Sequence, residues 1–299
     1  MITRRGLLKL LGAGFLTLVA TAAYPFAEVF GKPRITTYAL TPPGWPAGLK
    51  LRAAVIADIH ACEPWMTVSR IEAICRQAMD LEPDIILLLG DYVSGTKLVT
   101  GTVDSSEWSA ALGALRAPLG VHAILGNHDY WHDLTFQRDQ TAVPFVVDAL
   151  QGSGIATYVN QAVRIEKGGH GFWLAGLGDQ LALLPGAAHG RGSMRGIDDL
   201  DAALAGIPDG EAVVLMAHEP DIFPPVDPRV SLTLCGHTHG GQLNLFGWRP
   251  FSASRGSARF PAGHFAVDGR ELIVSRGLGC SVLPLRIGAY PEILLLDLG

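Results

Sequence analysis

Short polar clusters close five hydrophobic runs in this chain: Asp58-x-His60, Gly90-Asp91, Gly126-Asn127-His128-Asp129, a lone His218, and Gly236-His237-Thr238-His239. Carboxylate, imidazole and amide groups gathered in this way are the donors that a pair of divalent cations takes, and hydrolysis is the chemistry such a pair performs. Five of the ten histidines fall in these clusters, which sets the joint pattern apart from scattered surface histidines. Each cluster alone is weak, because a Gly-Asp or a histidine after a strand arises by chance and more often caps than ligates.

The residue types suggest a division of labour. Asp58 ends the run Val55-Ile56-Ala57, and alternation along an extended backbone would place Asp58 and His60 on one side, where both could grip one ion. Asp91 leaves a buried run through a glycine, and its two oxygens could bridge two cations. Asn127 offers a neutral oxygen, His128 can give a proton or a hydrogen bond to a phosphate, and Asp129 can orient that imidazole. His218, His237 and His239 add three imidazoles in the same strand-terminal position. Mixed oxygen and nitrogen donors suit Mn, Fe or Zn and disfavour Ca.

These residues need elements that bring strand ends together. Leu51 to Ala57, Asp84 to Leu89 and Gly120 to Leu125 read as buried strands. Val68 to Leu81 and Glu107 to Leu115 read as helices between them, the first with Ile71, Ile74, Cys75 and Ala78 on one face. That succession predicts parallel strands with covering helices. Beyond residue 150 the runs shorten (162–166, 171–177, 211–217, 231–235, 264–267, 271–275 and 293–297), which predicts a mixed or antiparallel second half. The expected fold is α/β, a two-sheet sandwich with flanking helices and its site at the carboxyl ends of strands. Segments 94–106 and 185–196, rich in Gly, Thr and Ser or in Gly with His189, Arg191 and Arg195, read as surface loops that could act as lids.

The N-terminus has a separate character. Thr3-Arg4-Arg5 with Leu7, Leu8 and Lys9 precedes an uncharged apolar stretch from Leu10 to Ala23, the order of an export signal, and resembles the twin-arginine signal that passes folded proteins to its export machinery. Residues 1–32 are therefore expected to be such a signal, cleaved near Ala20-x-Ala22, or an inner-membrane anchor. Residues 33–299 are expected to form the catalytic domain, facing the periplasm or the outer side of the membrane. A net charge of -5 gives no basic footprint for nucleic acid. Four dispersed cysteines, without a Cys-x-x-Cys pair, make no disulfide framework, although Cys62 and Cys235 next to proposed ligands could be bystanders or an oxidisable pair.

The five clusters, in this order, resemble the motif series of the calcineurin-like metallophosphoesterase superfamily. Gly240-Gly241-Gln242, Ser275-Arg276-Gly277-Leu278-Gly279, Pro284-Leu285-Arg286 and Pro291-Glu292-Ile293 look like its bacterial membrane-associated YaeI/YkuE-like branch. The resemblance implies a dinuclear centre in which Asp58, His60 and His239 hold one ion, Asn127, His218 and His237 hold the other, and Asp91 is shared. It further implies that His128 is the catalytic histidine beside the leaving group, with Asn127 also facing substrate, and that Asp129 is the partner of His128. Two ions about 3.5 Å apart would acidify a water between them for in-line attack on phosphorus. The expected substrate is a phosphate ester, foremost a phosphodiester. A lipid-linked pyrophosphatase of the UDP-diacylglucosamine type is the alternative, and a metal-binding scaffold without catalysis is the reading from another class. Arg276 and Arg286 could meet a phosphate or pair with acidic neighbours.

Overall fold

Hydrophobic residues alternate sides along the buried strands, and this alternation needs two covering layers. Ala53 and Val55 face one cluster while Ala54 and Ile56 face another, and Leu87 and Leu89 separate from Ile86 and Leu88 in the same manner. A computed structural model of the chain describes residues 3–186 and 194–299. Its strands are β1 (Arg34–Leu40), β2 (Leu51–Ile56), β3 (Cys62–Glu63), β4 (Ile85–Leu89), β5 (Gly101–Thr102), β6 (Val121–Ile124), β7 (Ala156–Thr157), β8 (Gln161–Lys167), β9 (His170–Gly176), β10 (Val213–Met216), β11 (Leu232–Cys235), β12 (Gly263–Val267), β13 (Arg270–Val274) and β14 (Glu292–Leu298).

Two six-stranded sheets result, in the orders β1-β14-β2-β4-β6-β7 and β12-β13-β11-β10-β9-β8. Their inner faces share a core that includes Leu87, Ile124, Leu174, Met216, Leu234 and Leu296. Helices α2 (Val68–Met79) and α3 (Ser105–Leu112) cover the outer face of the first sheet, α2 burying Ile71, Ile74, Cys75 and Ala78 as its periodicity predicts. Thr67 caps the start of α2 and Asp104 with Glu107 caps that of α3. A third cluster, with Phe223, Phe260 and Leu215, covers the outer face of the second sheet.

The second half takes the mixed one of the two expected patterns, with an order that matters for the site. Strands β9, β10, β11 and β13 run parallel, and only the edges β8 and β12 are antiparallel. The sheet is mixed, with a parallel interior that aims the ends of β10 and β11 the same way. The last strand, β14, does not stay with its sequence neighbours. It enters the first sheet between β1 and β2, parallel to one and antiparallel to the other.

Segment 94–106 is tethered: β5 pairs with β3, the Thr96 hydroxyl donates to Cys280 O, and Lys97 N donates to Val282 O at 2.7 Å. Of segment 185–196, His189 and Arg191 lie outside the described residues. At the other end of the chain, α1 (Arg4–Phe30) has the length and apolar composition to cross a membrane, and its apolar window is bare of protein contact. Its last turns touch the body, burying Glu28 and Val29.

Leu87 is enclosed between the sheets at 3 % exposure. Leu87→Ala should therefore lower stability by about 2–5 kcal/mol through lost burial and a cavity. Urea unfolding followed by circular dichroism checks this, and an unchanged midpoint contradicts the sandwich interior.

Candidate metal centre

Parallel β2, β4 and β6 of one sheet and β10 and β11 of the other end at a common edge, and every cluster named above leaves from one of these five ends. The side chains do not converge by strand alternation, however. β2 stops at Ile56, and Asp58 and His60 both hold left-handed backbone with φ of 54° and 50°. Asp91, His237 and His239 do the same, at 58°, 66° and 50°. Left-handed backbone costs a non-glycine residue about 1–3 kcal/mol and gathers at functional sites, where it turns a chain sharply enough to aim neighbouring side chains at one point.

Two groups of donors form. Asp58, His60 and His239 offer atoms within 4.8 Å of one another, and Asp91, His218 and His237 make a second such group. Asp91 Oδ2 stands 3.4 Å from His60 Nε2 in the first group and 3.2 Å from His218 Nε2 in the second, the place a shared ligand occupies. Asn127 Oδ1 lies 3.0 Å from His237 Nδ1, so it joins the second group. Two ring nitrogens, His60 Nε2 and His239 Nε2, face each other at 3.1 Å.

These donors fit metal ions. Asp58 Oδ2, His218 Nε2 and His237 Nε2 are buried without a hydrogen-bond partner, which an apolar or purely structural site would not tolerate. The Nδ1 atoms of His60 and His218 meet the carbonyls of Val93 and Leu89, at 3.0 and 2.7 Å, and a proton donated there leaves Nε2 as a lone pair. Glycines make the room: a Cβ on Gly126 would sit 2.4 Å from Asp91 Oδ1, and one on Gly277 2.5 Å from Asp58 Oδ2.

Asp129 takes a different position from the one expected. It does not hold the His128 imidazole, because both its oxygens are engaged by backbone. Oδ2 accepts from Gly126 N and Asp91 N at 2.9 and 2.8 Å, and Oδ1 from Tyr92 N and Val93 N at 2.8 and 3.0 Å. It sits at the third position of the short helix α4 (Asn127–Trp131), where a carboxylate reaches back to the first turn and here also catches the exit of β4. It is a positioning residue for Asp91. His128 is braced instead by Trp131, its ring 4.8 Å away, and Ser281 Oγ lies 3.3 Å from its Nε2. Gly95 lies close against the other side, where a Cβ would overlap the ring.

Charge is concentrated. Burial pulls His60 and His237 down to about 3 and lowers His128, so these imidazoles are neutral at pH 7. Burial pushes Asp58 up to about 7, the nearby Asp91 adding to it and His218 opposing. Burial would raise Asp91 as well, but His218, His128 and His60 together hold it well below the carboxylate range, and Asp91 in turn holds His218 high against the pull of its own burial.

Sequence reading did not find Asp179 and Glu219, a buried carboxyl pair within 4.8 Å of His218. Burial pushes both up, and close carboxyls of this kind share a proton. The signal was present: Gly178-Asp179 follows β9 as Gly90-Asp91 follows β4. Arg286 is fully buried and neither meets an acid nor opens to a phosphate; it donates to the carbonyls of Gly279 and Ala289, with Nη2 3.2 Å from His239 Nδ1. Arg276 pairs with Glu292 at 2.6 Å. The four cysteines are buried and free, outside the donor groups, with the thiols of Cys75 and Cys235 pushed up by burial.

Residues 51–241 match the calcineurin-like phosphoesterase family. The chain belongs to that family. Phosphodiesterase YaeI of Escherichia coli is 31% identical over 81% of this chain and 80% of its own length. An uncharacterised metallophosphoesterase of Bacillus subtilis, YkuE, is 28% identical over 97% and 93%. Among solved structures, a dimetal phosphatase from Danio rerio is 15% identical, with a TM-score of 0.42 over 76% of this chain and 88% of that one. This phosphoesterase is thus a hydrolase of the α/β metallophosphoesterase fold, and divalent metal ions are the family's cofactor.

Because Asp91 is placed between the two donor groups, Asp91→Ala should lose bound metal along with activity; an unchanged metal content by elemental analysis contradicts the shared position. The pH dependence of metal uptake has a definite sign. Cations need ionised Asp58 and neutral His218, so the affinity for Mn²⁺ should rise with pH through about 7, where Asp58 loses its proton, and continue to rise until His218 has lost its own. Titration calorimetry checks this, and an affinity that falls as pH rises sinks it.

Proposed function

We propose that this phosphoesterase hydrolyses a phosphodiester with two divalent cations, of Mn, Fe or Zn, held by Asp58, His60, Asp91, Asn127, His218, His237 and His239. The observation that supports this most directly is the convergence of seven donor side chains from five strand ends, with buried donor atoms that lack any other partner. The name of the E. coli relative, a phosphodiesterase, favours the diester. When bound, such ions supply Lewis acidity to phosphoryl oxygens and a water acidic enough to attack phosphorus.

The protein side of the reaction follows from the geometry. Asp129 holds the backbone of Asp91, Tyr92 and Val93 and so fixes the shared carboxylate. His128, at the rim with 8 % exposure, is neutral, so its ring meets the departing oxygen through an N–H rather than as a cation. Trp131 and Gly95 restrict that ring to a narrow slot. Every donor is in place, which argues against a scaffold that has lost catalysis.

We further read residues 1–32 as directing export by the twin-arginine route, with the catalytic domain at the extracytoplasmic face. Arg4, Arg5 and Lys9 at the start of α1 support this, since basic residues stay on the cytoplasmic side. A second reading, the lipid-linked pyrophosphatase, is favoured by an apolar cavity of about 270 Å³ beside His239, lined by Leu243, Phe251, Val282, Leu283 and Leu285. A nucleotide-bearing substrate requires a cytoplasmic site, so the side of the membrane on which the domain lies separates the two.

Full-length protein with Mn²⁺ should cleave bis(p-nitrophenyl) phosphate, and His128→Ala should lower turnover by ~10²–10⁴-fold with metal content unchanged. Full activity in His128→Ala, or no diester cleavage by the parent, refutes the assignment. Replacing Arg4 and Arg5 by Lys should strand the protein in the cytoplasm, and unaltered fractionation removes the export reading.

A further inference from the structure

Apolar side chains are exposed in a restricted part of this molecule. Beyond α1, eight of the eleven large apolar residues that stand exposed among the described residues lie in three loops, at 98–99, 245–251 and 282–283. Phe246 is wholly exposed at 108 %, and Trp248 and Phe251 are exposed by about two thirds. The loops are joined to one another and to α1. Phe26 and Phe30 pack on Trp65 with ring centres 6.0 and 5.2 Å apart, and Trp65 Nε1 donates to Leu98 O at 2.8 Å. Lys97 N donates to Val282 O, and Gln242 Nε2 to Leu283 O at 3.0 Å. The end of α1 is fastened beneath them: Gly288 N donates to Glu28 Oε1 and Arg286 N to Pro25 O, both at 3.0 Å. The apolar cavity beside His239 opens within this face.

Two further features fit no aqueous role. Leu98, Phe246 and Val282 hold left-handed backbone, with φ of 59°, 55° and 62°, a strained conformation for large residues and most of all for a β-branched one, and at each of the three it carries an apolar side chain that is exposed. Segments 94–103, 242–267 and 272–291 also contain no Asp or Glu, in a chain that has 28 of them and a net charge of -5. Lys97 and Arg249 are exposed beside the apolar tips. Apolar tips with adjacent cations and no carboxylates make up a surface suited to the headgroup layer of an anionic bilayer, where aromatic and aliphatic groups sink in and cations meet phosphates. The 27 residues of α1 rise about 40 Å, enough to cross the same bilayer.

We propose that this face lies on the phospholipid bilayer that α1 crosses, with Phe246, Trp248 and Val282 at headgroup depth, so that the metal centre acts on phosphoesters presented by the membrane surface. The seating stands on the exposed face alone; the choice of substrate surface rests on the phosphoesterase reading above.

All four native cysteines are buried, so a cysteine introduced at the surface can be labelled selectively. The full chain, reconstituted in phosphatidylcholine–phosphatidylglycerol vesicles, would carry an environment-sensitive fluorophore at Phe246→Cys or, as a control, at Asp209→Cys, where the side chain is fully exposed before β10, at the opposite end of that strand from His218. Brominated lipids should quench the label at 246 and leave the one at 209 unaffected. Equal behaviour of the two labels overturns the proposal. So does a dry but unquenched label at 246, the outcome of a second copy covering the face.

A second measurement uses Phe246→Ser with Trp248→Ser. It should lower cleavage of vesicle-embedded hexadecyl p-nitrophenyl phosphate by about tenfold and leave cleavage of soluble bis(p-nitrophenyl) phosphate unchanged. Equal loss on both substrates counts against the seating. A parent chain inert toward both substrates while the label at 246 is quenched refutes the phosphoesterase reading and spares the seating.

Discussion

Asp91 is a fully buried carboxylate, and an ion of that kind persists inside a protein only when charge or hydrogen bonds from several directions offset the loss of water. Here the offset comes from His60 and His218 on either side of Oδ2, from the backbone N–H of His128 on Oδ1, and from Asp129, which grips the amide of Asp91 itself. The partners come from three different strand ends, and Asp91 itself leaves from a fourth. The carboxylate therefore ties the two sheets together at their carboxyl edge, and the metal centre and the sandwich become one structural problem.

The parallel interior of both sheets is what makes that tie possible. If β10 and β11 had alternated in direction, His218 and His237 would leave from opposite edges and the second donor group would not assemble. The five left-handed turns at Asp58, His60, Asp91, His237 and His239 then bend each strand exit inward, and the surrounding core over-determines conformations that would not persist in a free loop. Glycines at 126 and 277 belong to the same arrangement, because any side chain there would displace Asp91 or Asp58.

The same loops that enclose the centre also join it to α1. Arg286 spans the two: its backbone N–H bonds to Pro25 in the helix, while its guanidinium lies against His239 and ties down the 276–289 segment. The last turns of the apolar helix are thus packed as part of the domain, although the apolar window of the same helix is unburied. A chain boundary placed by composition alone, at residue 32, falls beyond a buried contact rather than in a free linker.

Composition and spacing were enough to single out the seven residues that the structure gathers at one edge, the strands that carry them and the α/β sandwich, because buried strands read as apolar runs and residue types able to bind metal are chemically distinctive at their ends. Local patterning could not reveal that β14 inserts between β1 and β2, since strand order depends on long-range pairing that leaves no trace in a seven-residue run. It likewise assigned Asp58 and His60 to an extended backbone and Asp129 to His128, whereas tertiary packing turned the first two into left-handed bends and gave the Asp129 oxygens to four backbone amides. Asp179 and Glu219 are neighbours only because β9 and β10 are paired, and Arg286 reaches His239 only because two distant loops fold together. The sequence by itself determined which atoms could bind metal and which runs would be buried; three-dimensional packing decided which of those atoms meet, since burial, backbone strain and the pairing of remote charges are properties of the assembled sheets and not of any one segment.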